Sequence, residues 1–268
     1  MSKYKELQQI FIDRVEVKHY IGLDSSILFY NQLQESIKKP LKMILLYGKP
    51  GTGKSVLIHK LHHDTKSEHN VYLIATPIQS EKEFIQRLYE FLFPDHIIPD
   101  DLTFNRFIDL CHQTREKRHI IVLLDEAQLY PPEMLEKIRL ISDTRTIKFV
   151  VSLHKTEQED LIAKEHFQSR IWETIELKNG SLHDTSMYIQ KKLVQQNFFE
   201  IAHMFQKKHF KLIHQFTQGN YREINKLMYT LFEIYDYYEN HQPSKISGKT
   251  IKTKYIEMSA LKLGYIHA

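Results

Sequence analysis

Apolar positions along this chain change their rhythm twice. Residues 2–17 and 25–38 space them as amphipathic helices do, with a loop around Gly22-Leu23-Asp24 between. Lys39-Pro40 closes the second helix, because proline pushes the residue before it out of the helical region. Short solid apolar runs then alternate with helical patterns. KMILLY (42–47), VYLIAT (71–76), HIIVLLDEA (119–127), IKFVVSL (147–153) and TIEL (174–177) read as buried strands. Residues 54–63, EKEFIQRLYEFLF, LTFNRFIDLCHQTREK and PPEMLEKIRLI read as helices, the last with prolines where a helix start tolerates them. Solid strands alternating with helices predict an α/β fold, a parallel sheet sandwiched by helices. After Leu177 the strand rhythm stops. SLHDTSMYIQKKLVQQ, KHFKLIHQFTQ and YREINKLMYTLFEIYDYY are helical, HQPSKISGKTIKTK is a polar loop, and YIEMSALKLGY suits a last helix. The expected division is an N-terminal helical segment over 1–40, an αβα domain over 41–178 and a small all-helical domain over 179–268.

Composition narrows the classes. With 42% hydrophobic and 26% charged residues, the chain has the make-up of an ordinary globular protein. Its single cysteine, Cys111, allows no disulfide within the chain and fits a reducing, cytoplasmic setting. The charged N-terminus has no apolar core of a signal peptide, and the longest aliphatic run, IIVLL, is too short for a transmembrane span. Net charge is +4, unevenly spread. From Lys178 onward, thirteen Lys/Arg face seven Asp/Glu, a net of +6, against −2 for the rest. That excess is either a solvated helical surface or a basic part that touches nucleic acid or an acidic partner. The sixteen histidines show no metal-binding spacing, so no metal other than Mg²⁺ is expected. Tyr229, Phe232, Tyr235, Tyr237 and Tyr238 read as helix packing, with a base-stacking platform as the other reading.

Chemistry enters at two places. Gly48-Lys49-Pro50-Gly51-Thr52-Gly53-Lys54-Ser55 fits G-x-x-x-x-G-K-[ST] in full, between a predicted strand and a predicted helix. Gly48, Pro50, Gly51, Thr52 and Gly53 would curl backbone N–H groups around phosphate oxygens of ATP. Lys54 would reach the β- and γ-phosphates and the Ser55 hydroxyl would ligate Mg²⁺. The strand HIIVLLDE ends in Asp125 and Glu126, at the sheet edge where α/β ligands sit. Asp125 would complete the Mg²⁺ shell, and Glu126 would polarise the attacking water as general base. Three further residues are candidates by position. Ser152 contacts the water or γ-phosphate beside Glu126, or is a satisfied strand-end serine. Arg170 is an arginine finger for a neighbouring subunit or an ordinary surface arginine. Arg222, in Gly219-Asn220-Tyr221-Arg222-Glu223-Ile224-Asn225 at the start of a helix, would close over the phosphates and report nucleotide state to the helical domain, the other reading being an arginine with no such role.

GKPGTGKS, LLDEAQ, SRI before the fifth strand and GNYREIN in a helical domain follow the order of an AAA+ ATPase, which this chain resembles over residues 20–235. It is most similar to the ExeA/GspA-type ATPases of secretion, type IV pilus and DNA-uptake systems, and to the related transposition ATPases. ILFYNQLQESI before the nucleotide loop also resembles that group, whereas SLHKTEQEDL stands where its members have a Gly-Gln-Pro-Glu-Leu-like turn. The resemblance implies a P-loop domain with a helical lid, ATP and Mg²⁺ as ligands, and a homo-oligomer; members of that group usually continue into a membrane span and a cell-wall-binding domain, and since this chain stops after the helical part, a stand-alone ATPase module is expected. Its function would be to power a membrane-associated machine from the cytoplasmic side of the inner membrane. The alternatives are a DNA-associated ATPase of the transposition or replication-loader kind, touching DNA through the basic C-terminal part, and a nucleotide-gated signalling switch.

Overall fold

The computed structural model describes residues 2–65, 70–154 and 170–267. The chain divides into two compact units: Leu28–Pro50 with Lys54–Leu177, and Met1–Ile27 with Gly51–Gly53 and Lys178–Ala268. Helices and strands are numbered in chain order; α1 (Lys3–Ile10) falls in the second unit, and α2 (Asp24–Lys38) leads into the first.

The first unit is built on five parallel strands, β1 (Met43–Gly48), β2 (Val71–Ile74), β3 (Ile120–Leu124), β4 (Ile147–His154) and β5 (Ile171–Leu177), in the order β2-β3-β4-β1-β5. Leu45 of β1 lies between Val151 of β4 and Thr174 of β5, and Leu124 of β3 pairs with Val151. Met43 to Leu46 are fully buried, as a strand covered on both faces requires. The helices are α3 (Lys54–Thr65), α4 (Glu81–Leu92), α5 (Phe104–Thr114) and α6 (Pro132–Asp143). Phe84 and Leu88 of α4, Phe107 of α5 and Ile138 of α6 share one core with Met43, Val122 and Phe149. Each such side chain contributes about 1.5–3 kcal/mol by leaving water. Ser80 and Thr103 cap α4 and α5 by accepting from the N–H groups of Glu83 and Arg106, each at 3.3 Å.

The second unit is helical. With α1 it contains α7 (Leu182–Gln195), α8 (Phe199–Met204), α9 (Lys207–Thr217), α10 (Tyr221–His241) and α11 (Thr253–Lys262). Leu7 and Phe11 share a core with Leu193, Ile213, Leu231 and Phe232. Ser181 and Asp184 form a reciprocal capping box at the start of α7. The α10 aromatics are mostly packing: Phe232 and Tyr235 are fully buried, and Tyr235 and Tyr238 each sit within 5.2 Å of the Tyr255 ring. Tyr237 is the exception, exposed and stacked on His241. Among the described residues no helix is long and apolar enough to cross a membrane.

Four elements differ from the sequence pattern. The first helix ends at Ile10; the β-branched Val15 and Val17 that follow weaken helix propensity, and a short 3₁₀ turn spans Val17–His19. Strand β5 begins at Ile171, three residues before TIEL, because an edge strand keeps one face polar and lacks a solid apolar run. Strand β4 runs on to His154. The short α8 has no clear period of its own.

Candidate nucleotide site

Three adjacent parallel strands end together. Gly48 at the end of β1 pairs with His154 at the end of β4, and β3 beside them delivers Asp125 and Glu126. The phosphate motif follows Gly48, and α3 starts at Lys54, so the helix N-terminus with its free N–H groups opens at this edge. Gly51 and Gly53 take φ of +80° and +95°, a left-handed backbone in which a side chain would be strained. Lys54 is 3% exposed, and its Nζ donates to the carbonyls of Gly48 at 2.6 Å and Lys49 at 3.1 Å. The ammonium is therefore folded back onto the loop that would cradle phosphate. Ser55 is half-buried one residue further along.

Asp125 is 4% exposed, and its Oδ1 accepts from the Glu126 N–H at 3.0 Å. Ser55 hydroxyl and Asp125 carboxylate are hard oxygen donors of the kind Mg²⁺ takes, and the left-handed glycine loop is of the kind that wraps phosphate, so the residues present fit both groups. Glu126 sits at φ 52°, ψ 39°, left-handed for a non-glycine residue, at a cost of ~1–2 kcal/mol. Its two oxygens are both engaged. Gln128 Nε2 donates to Oε2 at 2.6 Å, and His154 Nε2 lies 2.9 Å from Oε1. Burial first, and the Lys54 charge second, push the His154 imidazole below its ordinary value against the pull of Glu126 and Asp125. A neutral imidazole must then carry its proton on Nε2 to make this hydrogen bond.

Sequence reasoning missed His154 and gave Gln128 no role. Ser152, expected at the strand end, lies inside β4 opposite Leu46, fully buried, with no hydrogen-bond partner for its hydroxyl among the described residues. The strand continues two residues, and the side chain on the same face at its true end is His154. The signal lay in strand length: SLH carries the alternation three positions past FVV, to His154. Ser169 and the SLHKTEQEDL turn beyond His154 lie outside the described residues.

Arg170 stands at the opposite edge of the sheet, one residue before β5. Its Nε and Nη2 donate to Asp143 at 3.2 and 2.9 Å, beside Lys42, whose Nζ donates to the same carboxylate at 2.8 Å. Burial would raise the Asp143 carboxyl, but the hydrogen bonds from Arg170 and Lys42 outweigh it and hold it below its usual range. Within one chain, Arg170 is thus held away from the strand ends that carry Asp125 and Glu126.

Arg222 lies in the helical unit. Asn220 caps α10 by accepting from the N–H groups of Arg222 and Glu223 at 3.1 and 3.3 Å. Arg222 Nε donates to Asp13 at 3.0 Å, and both side chains are about half-exposed. Gly51 packs in the same unit: the Tyr221 N–H donates to its carbonyl at 3.1 Å, and a Cβ on Gly51 would come 2.2 Å from Asn220 Oδ1. The spacing of GNYREIN thus sets a cap, a loop contact and an arginine on one helix start.

These features make up a P-loop fold of the AAA+ type, a parallel five-stranded sheet with flanking helices and a C-terminal helical region. An AAA domain model matches residues 37–161. Among solved structures the chain is similar to the Walker-type ATPase PABY2304 of Pyrococcus abyssi, at TM-score 0.61 and 14% identity, over 95% of this chain and 76% of that one. It is similar to Cdc6p of Pyrobaculum aerophilum, at TM-score 0.60 and 17% identity, over 94% and 70%. It is similar to the ORC1 protein of Aeropyrum pernix in complex with DNA, at TM-score 0.60 and 13% identity, over 96% and 69%. At these identities the likeness is one of fold. No curated protein matches the chain.

Proposed function

We propose that the protein binds and hydrolyses ATP in an assembly that works on DNA. The observation that carries the hydrolytic half is Glu126, held at the strand edge by Gln128 and His154 beside a buried Asp125 and Lys54. A nucleotide-gated switch needs the phosphate loop but has no use for a carboxylate fixed by two donors. Glu126 orients and deprotonates the attacking water. Bound Mg²⁺, held by Ser55 and Asp125, would neutralise charge on the β- and γ-phosphates. Gly48, Pro50, Gly51, Thr52 and Gly53 present the backbone donors, and Lys54 turns from the loop carbonyls to phosphate. Arg222 senses the nucleotide from the helical unit. Arg170 serves the site of a neighbouring subunit, which makes turnover depend on a homo-oligomer.

The DNA half rests on the third similar structure being a complex with DNA, and on the net +6 of the residues from Lys178 onward. None of the three similar structures is described as a secretion protein, so the expectation of a pilus or secretion machine at the inner membrane has no support from them. The test is ATP turnover measured with and without DNA. Stimulation by DNA, abolished in Glu126→Gln while ATP still binds, is the expected result. Turnover that ignores DNA, in a protein that does not bind it at low salt, rejects the DNA half. Ordinary turnover in Glu126→Gln rejects the assignment of the base.

A further inference from the structure

The first unit carries a second concave feature, at the edge where the strands begin. A cavity of about 670 Å³ is bounded by the starts of β3 and β4 and by the chain entering β1. Among the described residues six cationic side chains line it, Lys38, Lys39, Lys42, Arg115, Arg145 and Lys148, against one carboxylate, Glu116. Three of the six are engaged. Lys39 pairs with Glu173 at 2.9 Å and Lys42 with Asp143 at 2.8 Å. Lys148 Nζ donates to the carbonyls of Ile37 and Lys39, and burial pulls it down to about 8. The remaining three are placed alike. Lys38 is the last residue of α2, Arg115 follows α5, and Arg145 lies two residues past α6. A cation at a helix C-terminus is favoured by the helix dipole, which accounts for one at each end taken singly. The parallel topology brings helix ends to this edge, but it does not require all three to carry a cation into one cavity. Nor does it account for Arg145, which holds φ 64° in a turn that glycine or asparagine would occupy without strain.

We propose that this cavity is a nucleic-acid contact that grips backbone phosphates. The reading rests on the DNA-associated function above and moves the contact from the basic C-terminal part to the αβ unit. Lys38 and Arg145 are exposed on long flexible stems, and the more buried Lys148 ammonium is turned onto backbone carbonyls. The lining therefore offers mobile charge rather than a fixed donor that would orient a small ligand. Among the described residues no Phe, Tyr or Trp lines it, so the contact is read as one to phosphates rather than to stacked bases. Mobile cations without stacking are what sequence-independent phosphate binding needs.

The test is the salt dependence of DNA binding by the full chain, with labelled duplex and single-stranded oligonucleotides, for wild type and for Lys38→Gln/Arg115→Gln/Arg145→Asn together. The slope of log affinity against log salt falls by ~0.9 for each phosphate no longer neutralised on duplex, and by ~0.7 on single strands. The triple variant is therefore expected to bind at least about tenfold more weakly at low salt, with a slope shallower by roughly 2 to 3. Its urea melting and its ATPase rate without DNA should match wild type. Arg115→Lys/Arg145→Lys, which keeps the charge, should bind like wild type. Wild-type binding with an unchanged slope in the triple variant overturns the cavity and leaves the DNA reading standing. So does a slope that falls only in Lys207→Ala/Lys208→Ala/Lys211→Ala. Absence of DNA binding by wild type overturns both.

Discussion

The two edges of the sheet handle charge by opposite means. Where the strands end, the glycine loop and the start of α3 turn backbone N–H groups outward, and the side-chain complement is small: Lys54, Ser55, Asp125 and Glu126, with Gln128 and His154 holding Glu126. Where the strands begin, helices end, and their free carbonyls demand donors; Lys148 supplies two of them by reaching Ile37 and Lys39. Parallel strands joined by returning helices favour this division, because a helix that follows a strand starts at one edge and one that leads into a strand ends at the other. An anion at the first edge is read by backbone and a few buried groups. At the second it can be read only by side chains, many and mobile. Substitutions at the first edge should act nearly all-or-none, and those at the second in small salt-dependent steps.

The sharpest break comes at Glu126. Glu126→Gln should lower kcat by roughly 10²–10⁴, the usual contribution of a positioned base, with ATP affinity kept within a fewfold. Lys54→Ala should weaken ATP affinity by about 10² or more in equilibrium binding, since no other cation in the loop motif is buried against it. Loss of binding in the first variant, or tight binding in the second, would reverse the roles given to the two residues. His154→Ala should act next in size. Removing one of two donors to Glu126 costs about 1.5 kcal/mol, so kcat falls about tenfold with KM little changed. His154→Gln should restore part of it. If His154 only packs β4, the glutamine variant should not recover activity and thermal stability should fall in step with rate.

Much of the first edge was legible because its chemistry is local. The loop motif is eight contiguous residues, and Asp125-Glu126 follows a solid apolar run, so each announces itself without knowledge of the fold. The partners of Glu126 were not legible in the same way. His154 is 28 positions away in the chain and meets Glu126 only because β3 and β4 are neighbours in a sheet ordered β2-β3-β4-β1-β5. The cations at the other edge were hidden more deeply. Lys38, Arg115 and Arg145 carry no motif in the sequence, and only the gathering of three helix ends at one cavity relates them. The same limit applied to α1, whose Leu7 finds its core among helices at the far end of the chain, where no local pattern points. Edge-strand alternation, too weak to register as a run, cost the first three residues of β5.

Arg170 tests whether the two edges communicate between copies. If it serves a neighbour's nucleotide, Arg170→Ala should bind ATP as wild type does yet turn over at least about tenfold more slowly. Lys54→Ala supplies an intact arginine and no nucleotide, so mixing it with Arg170→Ala should recover part of the missing rate. No recovery at any ratio would leave Arg170 as the tether of Asp143 alone.

The smallest effect isolates that tether. Asp143 accepts from Lys42 and Arg170, and Arg139 lies 3.8 Å away, so one carboxylate organises three cations beside the basic cavity. Its carboxyl is held below the ordinary 3.8 by those hydrogen bonds despite burial. A group lowered on folding binds its proton more readily when unfolded, so the stability it contributes is fully present above that ordinary value and is lost as pH falls through the lower folded one. Asp143→Asn should therefore be less stable than wild type at pH 7, by about 1 kcal/mol after allowing for its partial exposure to solvent. The gap in urea melting should close as the pH is taken below about 4. A gap that persists in acid would mean that Asp143 acts through packing, and the cations at this edge would then need no central anion to hold them.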